Sequence, residues 1–372
     1  MGDAVELSWS GAHAGAILSV DLAAILANYR LLCARAAPAP CAAVLKADAY
    51  GLGAVAIGAA LYGQGCRHFF VAHLPEGIAL RPHLPADAVI FVLHGPPPGC
   101  DDEFPRHRLI PVLNSLSQMA GWRRLARTTG VRAAAVVQVD SGMSRMGLSP
   151  AEIDAWARQP ALSDGIDVRF LMSHLACADQ PEHPMNQRQL ERFVAARRVL
   201  PACPASLANS SGIFLPARFH FDLVRAGAAL YGIAPVAGAV NPLRPAVRLQ
   251  AKILQTRTIG PGEQVGYGHG YTAPTRRRIA TLSIGYADGW PRQLSNQGVA
   301  AIAGQRVRQV GRISMDSVTL DISELGEDQA LPGELADLIW DDQPVDAVAA
   351  TAGTIGYEIL TNLGPRIARQ YV

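Results

Sequence analysis

The sequence contains few charged and few aromatic residues for its length. Charged side chains make up 17% of its 372 residues, aromatic side chains make up 6%, and the net charge is +2. A charge this small does not attract a polyanion at long range. Nucleic-acid-binding surfaces commonly combine basic with aromatic residues. The densest basic run, residues 276–278, has no aromatic residues interleaved with it. We therefore expect no nucleic-acid partner.

Long apolar runs and a cysteine framework are also missing. The opening residues carry Asp3 and Glu6 and lack the basic segment and apolar core of a secretion signal. No later stretch reaches the roughly 20 apolar residues that cross a membrane. The 6 cysteines are irregularly spaced, without a C-x-x-C pair or an accompanying His cluster. We expect a cytoplasmic protein with reduced thiols, no membrane contact and no bound metal.

The length and composition that are present suit a two-domain enzyme. Hydrophobic residues make up 49% of the 372 residues, with 35 Gly and 26 Pro, as in compact, loop-rich proteins too long for one ordinary core. From about residue 40 to residue 232, short continuous apolar runs alternate with helix-like segments, as in a parallel sheet buried on both faces. The runs number eight and predict a (β/α)8 TIM-like barrel; they are 41–46 (CAAVLK), 68–73 (HFFVAH), 88–94 (AVIFVLH), 108–113 (RLIPVL), 132–140 (RAAAVVQVD), 168–174 (VRFLMSH), 204–209 (PASLAN) and 222–227 (DLVRAG).

The pattern changes after a Pro/Gly-rich stretch at residues 234–245. Apolar runs with Gly turns and almost no helical period follow, which indicates an antiparallel β domain. We predict an N-terminal extension at 1–15, the barrel at 16–237 and a C-terminal β domain at 238–372. The segment at 16–21 precedes the first barrel helix and is also a candidate to pair with the β domain.

Polar residues end the predicted barrel strands, where enzymes of this fold place their functional groups. They are Lys46 with Tyr50, His73, His94, Asn114, Gln138 with Arg145, His174, Asn209 with Ser210, and Arg225 with Gly227. A lysine at the mouth of an apolar barrel loses solvation, which lowers its pKa toward the neutral amine that Schiff-base chemistry needs. The alternative is a lysine whose stem merely reaches solvent from a strand end. The local residues leave both interpretations open.

Nine motifs, in order, resemble those of one enzyme family. Residues 43–53 (AVLKADAYGLG) closely resemble the pyridoxal-phosphate attachment motif of alanine racemases. The others are 140–147 (DSGMSRMG), 173–179 (SHLACAD), 207–212 (LANSSG), 224–232 (VRAGAALYG), 265–273 (VGYGHGYTA), 284–292 (IGYADGWPR), 311–316 (GRISMD) and 353–366 (GTIGYEILTNLGPR). The resemblance extends from about Ala16 to the end of the chain, so it includes both predicted domains.

The resemblance implies a reaction and its two bases. The family interconverts L-alanine and D-alanine by two-base proton exchange on a pyridoxal-phosphate aldimine, which supplies D-alanine for peptidoglycan. Lys46 matches the lysine that carries the cofactor, and Tyr267 matches the second base, which reaches into the other subunit of a homodimer with shared sites. Because a tyrosine ordinarily ionises near pH 10, its phenolate needs nearby positive charge. His174 and Arg225 match a relay that provides this charge.

Arg225 also implies control over the reaction. The family places this arginine against the pyridine nitrogen of the cofactor, where other pyridoxal enzymes use a carboxylate. A guanidinium only donates hydrogen bonds, so the ring nitrogen stays neutral and the ring is a poorer electron sink. This arrangement suppresses transamination and leaves proton exchange at Cα. The residue taken alone also suits a salt-bridged barrel arginine.

The remaining site residues follow from the same resemblance. Contacts with the cofactor and its phosphate are assigned to Tyr50, Asn209, Ser210, Gly227 and Tyr357, with backbone N–H groups of residues 210–212 and 227 forming an anion cradle; an ordinary helix cap would also explain Ser210. Arg145 matches the arginine that contacts the cofactor oxygen and the substrate carboxylate, and the Met315 N–H would hold that carboxylate from the partner chain. Six further residues match positions that line the access channel in the family, and a purely structural role would explain them equally well. They are Asp179, Tyr271, Tyr286, Arg292, Arg312 and Asp316.

Gln138 departs from the family pattern. Many members have a lysine there that becomes carbamylated and supports the equivalent of Arg145. A carbamate is an anion, whereas a glutamine amide is neutral. We therefore expect either a bound anion such as chloride near Gln138 or a direct hydrogen bond from Arg145 to the amide oxygen.

Three other functions fit parts of the sequence. A broader-specificity racemase that accepts serine would use the same residues. A decarboxylase of the same architecture is disfavoured because Arg225 and Met315 spare the carboxylate and weaken the electron sink. A non-catalytic cofactor carrier is disfavoured because the chain keeps both the β domain and Tyr267.

Overall fold

The computed structural model describes residues 13–372 and divides them into two compact units. The barrel unit is Ile25–Arg244, and the second unit combines residues 13–24 with Pro245–Val372. The break follows Arg244 instead of lying near residue 238, because Asn241 donates to the Gly232 carbonyl at 2.8 Å and the Arg244 N–H donates to Asn28 at 2.8 Å. Residues 1–12 of the predicted extension lie outside the described residues.

Eight parallel strands form the sheet of the barrel unit. The described chain opens with β1 (Ala16–Val20) and α1 (Leu22–Ala36). The barrel strands are β2 (Cys41–Val44), β3 (His68–Val71), β4 (Val89–Val92), β5 (Leu109–Leu113), β6 (Ala133–Gln138), β7 (Ile166–Met172), β8 (Ala205–Ser206) and β9 (Val224–Ala226). Their order runs from β8 through β2 to β9, and the Arg225 N–H donates to the Ala208 carbonyl at 3.0 Å across the remaining gap. The predicted barrel is confirmed.

Each strand matches one predicted run, although most strands end earlier. Only β7 begins before its run, at Ile166. The runs overshoot because their last residues, such as His94 and His174, already belong to the loops beyond the strands. Those loops lie at the carboxyl ends of parallel strands, where a barrel carries its functional groups.

Helical segments connect the strands. They are α2 (Lys46–Gly51), α3 (Ala54–Gly63), α4 (Leu74–Leu80), α5 (Glu103–Arg106), α6 (Leu116–Thr129), α7 (Pro150–Arg158) and α8 (Pro184–Val199). Ser115 and Ser149 cap α6 and α7 through side-chain oxygens that accept backbone N–H groups. Helix α8 begins at Pro184, and the His183 side chain caps it by accepting the Met185 N–H at 3.2 Å.

The second unit is built on another eight-stranded sheet. Its elements are β10 (Val247–Ile259), β11 (Gln264–Val265), β12 (Tyr271–Thr272), β13 (Arg277–Leu282), β14 (Val299–Ile302), β15 (Gln305–Gln309), β16 (Val318–Asp321), β17 (Leu335–Ile339), α9 (Val345–Ala352), α10 (Gly356–Asn362) and β18 (Ala368–Tyr371). Strand β1 pairs antiparallel with β10 and parallel with β18. This parallel pair and the two helices are additions to the antiparallel pattern that the sequence predicts.

The described residues contain neither a membrane-spanning helix nor a disulfide bond. Within residues 13–372, no helix is both long enough and apolar enough to cross a bilayer. All six cysteines are free thiols.

Candidate active site

Lys46 follows β2 and enters a segment of unusual backbone. Residues 47–50 all have φ between 52 and 59°, the left-handed region, although none of them is glycine. This conformation costs roughly 1–2 kcal/mol for each L-residue. Asp48 ties the segment to the residues beyond it, because its Oδ1 accepts the Ala54 N–H at 2.7 Å. Strain of this kind is typical of functional sites that the surrounding structure holds in place.

The environment of Lys46 favours its neutral form. The side chain is partly buried, and burial is the main cause that lowers the pKa of Lys46. The positive charge of Arg145 lowers it further, while the carboxylate of Glu76 opposes both effects. A neutral amine has a lone pair that can bind a carbonyl carbon or accept a proton.

Arg225 is buried at the end of β9 with several acceptors. Its side chain is 3% exposed, and Nη1 donates to Ser206 Oγ at 2.5 Å. Nη2 donates to the carbonyl of Ser173 at 2.7 Å and that of Leu207 at 3.3 Å. Burial lowers the pKa of Arg225 to about 9, so the guanidinium stays protonated at neutral pH. The barrel therefore contains a fixed buried cation.

His174 lies beside this cation. Its Nδ1 is 3.4 Å from Arg225 Nη2, and because a guanidinium only donates, a hydrogen bond between them requires Nδ1 to accept. Burial, followed by the charges of Arg225, Arg145 and Lys46, holds the pKa of His174 well below its usual value. Asn209 Nδ2 lies 3.4 Å from Nε2. The imidazole is thus neutral, with amide or guanidinium donors facing both of its ring nitrogens.

A cradle of small residues and hydroxyls lies at the ends of β8 and β9. Ser210 Oγ accepts the N–H of Gly227 at 2.8 Å and that of Ala229 at 3.3 Å. A Cβ atom on residue 227 would lie 2.5 Å from the hydroxyl oxygen of Tyr50, so only glycine fits there. The Gly212 N–H already donates to Asn209. Because these N–H groups already donate within the protein, a small anion here would be held chiefly by the hydroxyls.

Gln138 and Arg145 lie at the end of β6 and in the loop beyond it. Gln138 is 7% exposed, and its Nε2 donates to the Met146 carbonyl at 3.2 Å. Arg145 is exposed. Within residues 13–372 the two side chains are not hydrogen-bonded to each other. One amide hydrogen of Gln138 is left for another acceptor.

The second unit carries the predicted residues on exposed turns. Tyr267 is 72% exposed and follows Gly266, whose φ of 78° requires glycine. Met315 is 53% exposed, and its carbonyl accepts the Ala287 N–H at 3.0 Å. A Cβ on Gly285 would lie 2.3 Å from that carbonyl oxygen. The loops at 285–287 and 314–315 are therefore in close backbone contact.

The other access-channel residues divide between the units. Asp179 belongs to the barrel unit, where its carbonyl accepts the Ala237 N–H at 2.9 Å. Tyr271 donates to Asp321 at 3.5 Å, and burial with this carboxylate raises the pKa of Tyr271. Asp316 is exposed and ion-paired with Arg366 at 2.8 Å. The remaining predicted positions in the second unit also have exposed side chains; they are Tyr286, Arg292, Arg312 and, at 37% exposure, the phosphate candidate Tyr357.

Several site residues were not predicted from the sequence. Gln189 is fully buried, its Nε2 donates to the His174 carbonyl at 2.8 Å, and its Oε1 accepts the Ala176 N–H at 2.8 Å. The sequence could have indicated Gln189, because it is a polar residue on the buried face of α8. Arg366, which pairs with Asp288 at 2.7 Å, lies inside the motif at 353–366. Nothing in the short apolar run around Ser206 indicated that its hydroxyl would accept a hydrogen bond from Arg225.

Comparisons with known proteins agree over both units. The profile of the alanine racemase N-terminal domain matches residues 20–235, and that of the alanine racemase C-terminal domain matches residues 246–371. The catabolic alanine racemase of Mesorhizobium japonicum is 51% identical over 98% of this chain and 95% of its own length. An alanine racemase of Rhodospirillum rubrum is 48% identical over 96% of both chains. The crystal structure of alanine racemase from Bartonella henselae with covalently bound pyridoxal phosphate has a TM-score of 0.93, with 42% identity over 96% of this chain and 100% of that chain. The chain therefore belongs to the alanine racemase family.

Proposed function

We propose that this chain is a pyridoxal-phosphate-dependent alanine racemase that uses Lys46 and Tyr267 as its two bases. The observation that carries the proposal is the cluster at the barrel mouth, where a lysine with a lowered pKa lies near a neutral histidine and a buried arginine. Membership of the family supplies the reaction, and this cluster supplies groups of the type that the reaction needs.

The residues present suit the cofactor. The hydroxyls of Tyr50 and Ser210 meet at Gly227, where the missing Cβ leaves room, and they would hold the phosphate. Lys46 would carry the aldehyde carbon. Arg225 would donate to the ring nitrogen because a guanidinium cannot accept a hydrogen bond. When bound, pyridoxal phosphate withdraws electrons from an attached amino acid and acidifies its Cα–H.

Each base acts on one face of the substrate Cα. The neutral amine of Lys46 can accept a proton on one face. On the other face we assign the exchange to the phenol of Tyr267 from the partner subunit. His174 can exchange a proton with that phenol, because burial and the charge of Arg225 keep its imidazole neutral. Arg145 and the Met315 N–H would fix the substrate carboxylate.

A homodimer in the cytoplasm is the assembly and location that we propose. The second unit exposes large side chains that a soluble protein usually covers, including Tyr267 at 72%, Ile355 at 60% and Met315 at 53%. A second copy of the chain would cover them and complete each site. The six free thiols suit a reducing compartment.

Two biological roles are open to the same chemistry. Supply of D-alanine for peptidoglycan is the role that the sequence resemblance suggests. Relatives from Mesorhizobium japonicum and Agrobacterium fabrum are named catabolic alanine racemases, which favours a role in alanine breakdown. Deletion of the gene separates the two, because only loss of the biosynthetic role makes growth depend on added D-alanine.

The activity is tested by incubating the pure protein separately with L-alanine, L-serine and L-lysine, followed by chiral chromatography. We expect D-alanine to form fastest. Preferential formation of D-serine would favour the broader racemase instead. Borohydride reduction and peptide mapping should place the cofactor on Lys46, and a label on any other residue would overturn the assignment.

Chloride dependence is a further expectation of the proposed site. We propose that a small anion binds near Gln138, using the free amide hydrogen and offsetting the charge of Arg145, because attraction is stronger in a partly dry site. Activity should then fall when chloride is replaced by a bulky anion and should not respond to dissolved carbon dioxide. Gln138→Lys should remove the chloride dependence. Unchanged kinetics without chloride would leave no role for the anion.

A further inference from the structure

Glu76 is a charged residue that the reaction scheme does not use. It lies in the first turn of α4, three residues after His73. Its Oε2 accepts the N–H of Ala72 at 2.7 Å and that of His73 at 2.9 Å. Its Oε1 accepts the N–H of Ala47 at 2.7 Å. One carboxylate therefore joins the end of β3 to the residue that directly follows Lys46.

The contact with Ala47 falls on strained backbone. Residues 47–50 are left-handed without a glycine among them, and such a run persists only where neighbouring groups hold it. Glu76 holds the first residue of the run. Asp48, the second residue, ties the run to the segment beyond it through the Ala54 N–H. Hydrogen bonds to carboxylates are stronger than neutral ones, so the first two residues of the strained run both have strong contacts.

We propose that Glu76 is a positioning residue for Lys46. By accepting the Ala47 N–H, it keeps residues 47–50 left-handed and fixes the direction in which the Lys46 side chain leaves the barrel strand. If Glu76 only capped α4, its contacts through Oε2 with the N–H groups of Ala72 and His73 would be enough. The contact of Oε1 with Ala47 reaches a different βα unit and is not explained by capping. The inference rests on the proposed function, in which Lys46 carries pyridoxal phosphate.

Glu76→Gln tests the proposal in the apoenzyme. A glutamine amide has one acceptor atom and one donor atom, so its nitrogen must face either the Ala47 N–H or the N–H groups of Ala72 and His73. We expect the Kd for pyridoxal phosphate, measured by absorbance titration, to rise about tenfold, or roughly 1.4 kcal/mol. Loss of the Glu76 charge alone would lower the pKa of Lys46 and favour its reactive neutral amine. Slower borohydride trapping on Lys46 in Glu76→Gln would therefore report the changed geometry.

Glu152 offers a matched control in the same barrel. Its Oε2 accepts the N–H of Ser149 at 2.9 Å, and its Oε1 accepts the N–H of Leu116 in the neighbouring βα unit at 3.1 Å. Leu116 opens α6 and is not part of a left-handed run. Glu152→Gln should lower the urea midpoint about as much as Glu76→Gln does, and its Kd for the cofactor should stay within about twofold of wild type.

A glycine rescue tests whether strain is the cause. Glycine adopts the left-handed conformation without the steric cost of a Cβ, and Ala47 is exposed, so its methyl group packs little. Adding Ala47→Gly to Glu76→Gln should recover about threefold or more in cofactor affinity. Ala59→Gly, in the ordinary helix α3, should recover none.

The outcomes separate this inference from the function on which it rests. If wild type does not trap pyridoxal phosphate on Lys46, the proposed function fails. If wild type traps it there and both glutamine variants bind it equally, only the role of Glu76 is overturned. Equal rescue by Ala59→Gly would also overturn it. Should Glu76→Gln not fold, Glu76→Asp provides the same comparison, because its shorter carboxylate keeps the charge but cannot span the same distance.

Discussion

Arg225 shows how one side chain sets the state of another. Its guanidinium is held by Ser206, Ser173 and Leu207, and it cannot move away from the His174 ring without leaving these acceptors unpaired. The fixed charge faces Nδ1 at 3.4 Å. Protonation of the imidazole would place a second positive charge there, so this charge and burial together keep the ring neutral.

Arg225→Gln should therefore move the titration of His174 upward. Loss of the adjacent cation raises the pKa of His174 toward its usual value, although burial, the larger cause, still keeps it low. The imidazole should accept a proton at a higher pH than in wild type. NMR titration of the histidine ring measures this shift. Stability should fall by about 1–3 kcal/mol because buried acceptors lose their donor.

Assignment of the His174 resonance is needed for this measurement, because other histidines titrate as well. Burial also lowers the pKa of His68, for example, so a low pKa does not by itself identify the ring. His174→Asn provides the assignment because it removes only the His174 signal. An unchanged titration of His174 in Arg225→Gln would mean that the arginine charge does not control the ring.

The sequence predicted the barrel strands but neither the left-handed run at 47–50 nor some of the tertiary contacts of the site. The barrel strands were predictable because strands buried on both faces are continuous apolar runs. The left-handed run at 47–50 was not, because its residues, Ala, Asp, Ala and Tyr, give no local signal for positive φ. It depends on Glu76, which is distant in sequence. Likewise, the cluster at Arg225 could be assigned by resemblance, but Ser206 and Gln189 emerged only from tertiary contacts.

Close packing of two loops in the second unit leads to a prediction for Gly285→Ala. The backbone of Gly285 suits any residue at φ −150°, but an added Cβ would lie 2.3 Å from the Met315 carbonyl oxygen. The loops must separate, at a cost of about 1–3 kcal/mol. Because the adjacent Met315 N–H is assigned to the substrate carboxylate, KM for alanine should rise several-fold.

Gly63→Ala is the control for that substitution. Gly63 ends α3, and a Cβ there would meet nothing within 4 Å. Both stability and KM should match wild type. If Gly285→Ala lowered stability with KM unchanged, the loop contact would matter for folding but not for holding the substrate.

At the scale of the whole molecule, the proposed bases belong to different compact units. Lys46 lies in the barrel unit, and Tyr267 lies in the second unit. The second unit leaves Tyr267 and Met315 exposed. The homodimer that we propose would explain why such large side chains are left at the surface.

Complementation between two inactive variants tests this sharing. Lys46→Ala removes the cofactor attachment, and Tyr267→Phe removes the second base while leaving the exposed ring in place. In a heterodimer of the two, one site combines the intact Lys46 of one chain with the intact Tyr267 of the other, and the second site lacks both. After random subunit exchange, activity should return to about a quarter of wild type. Heterodimers confirmed by mass spectrometry but without activity would mean that each chain forms its site alone.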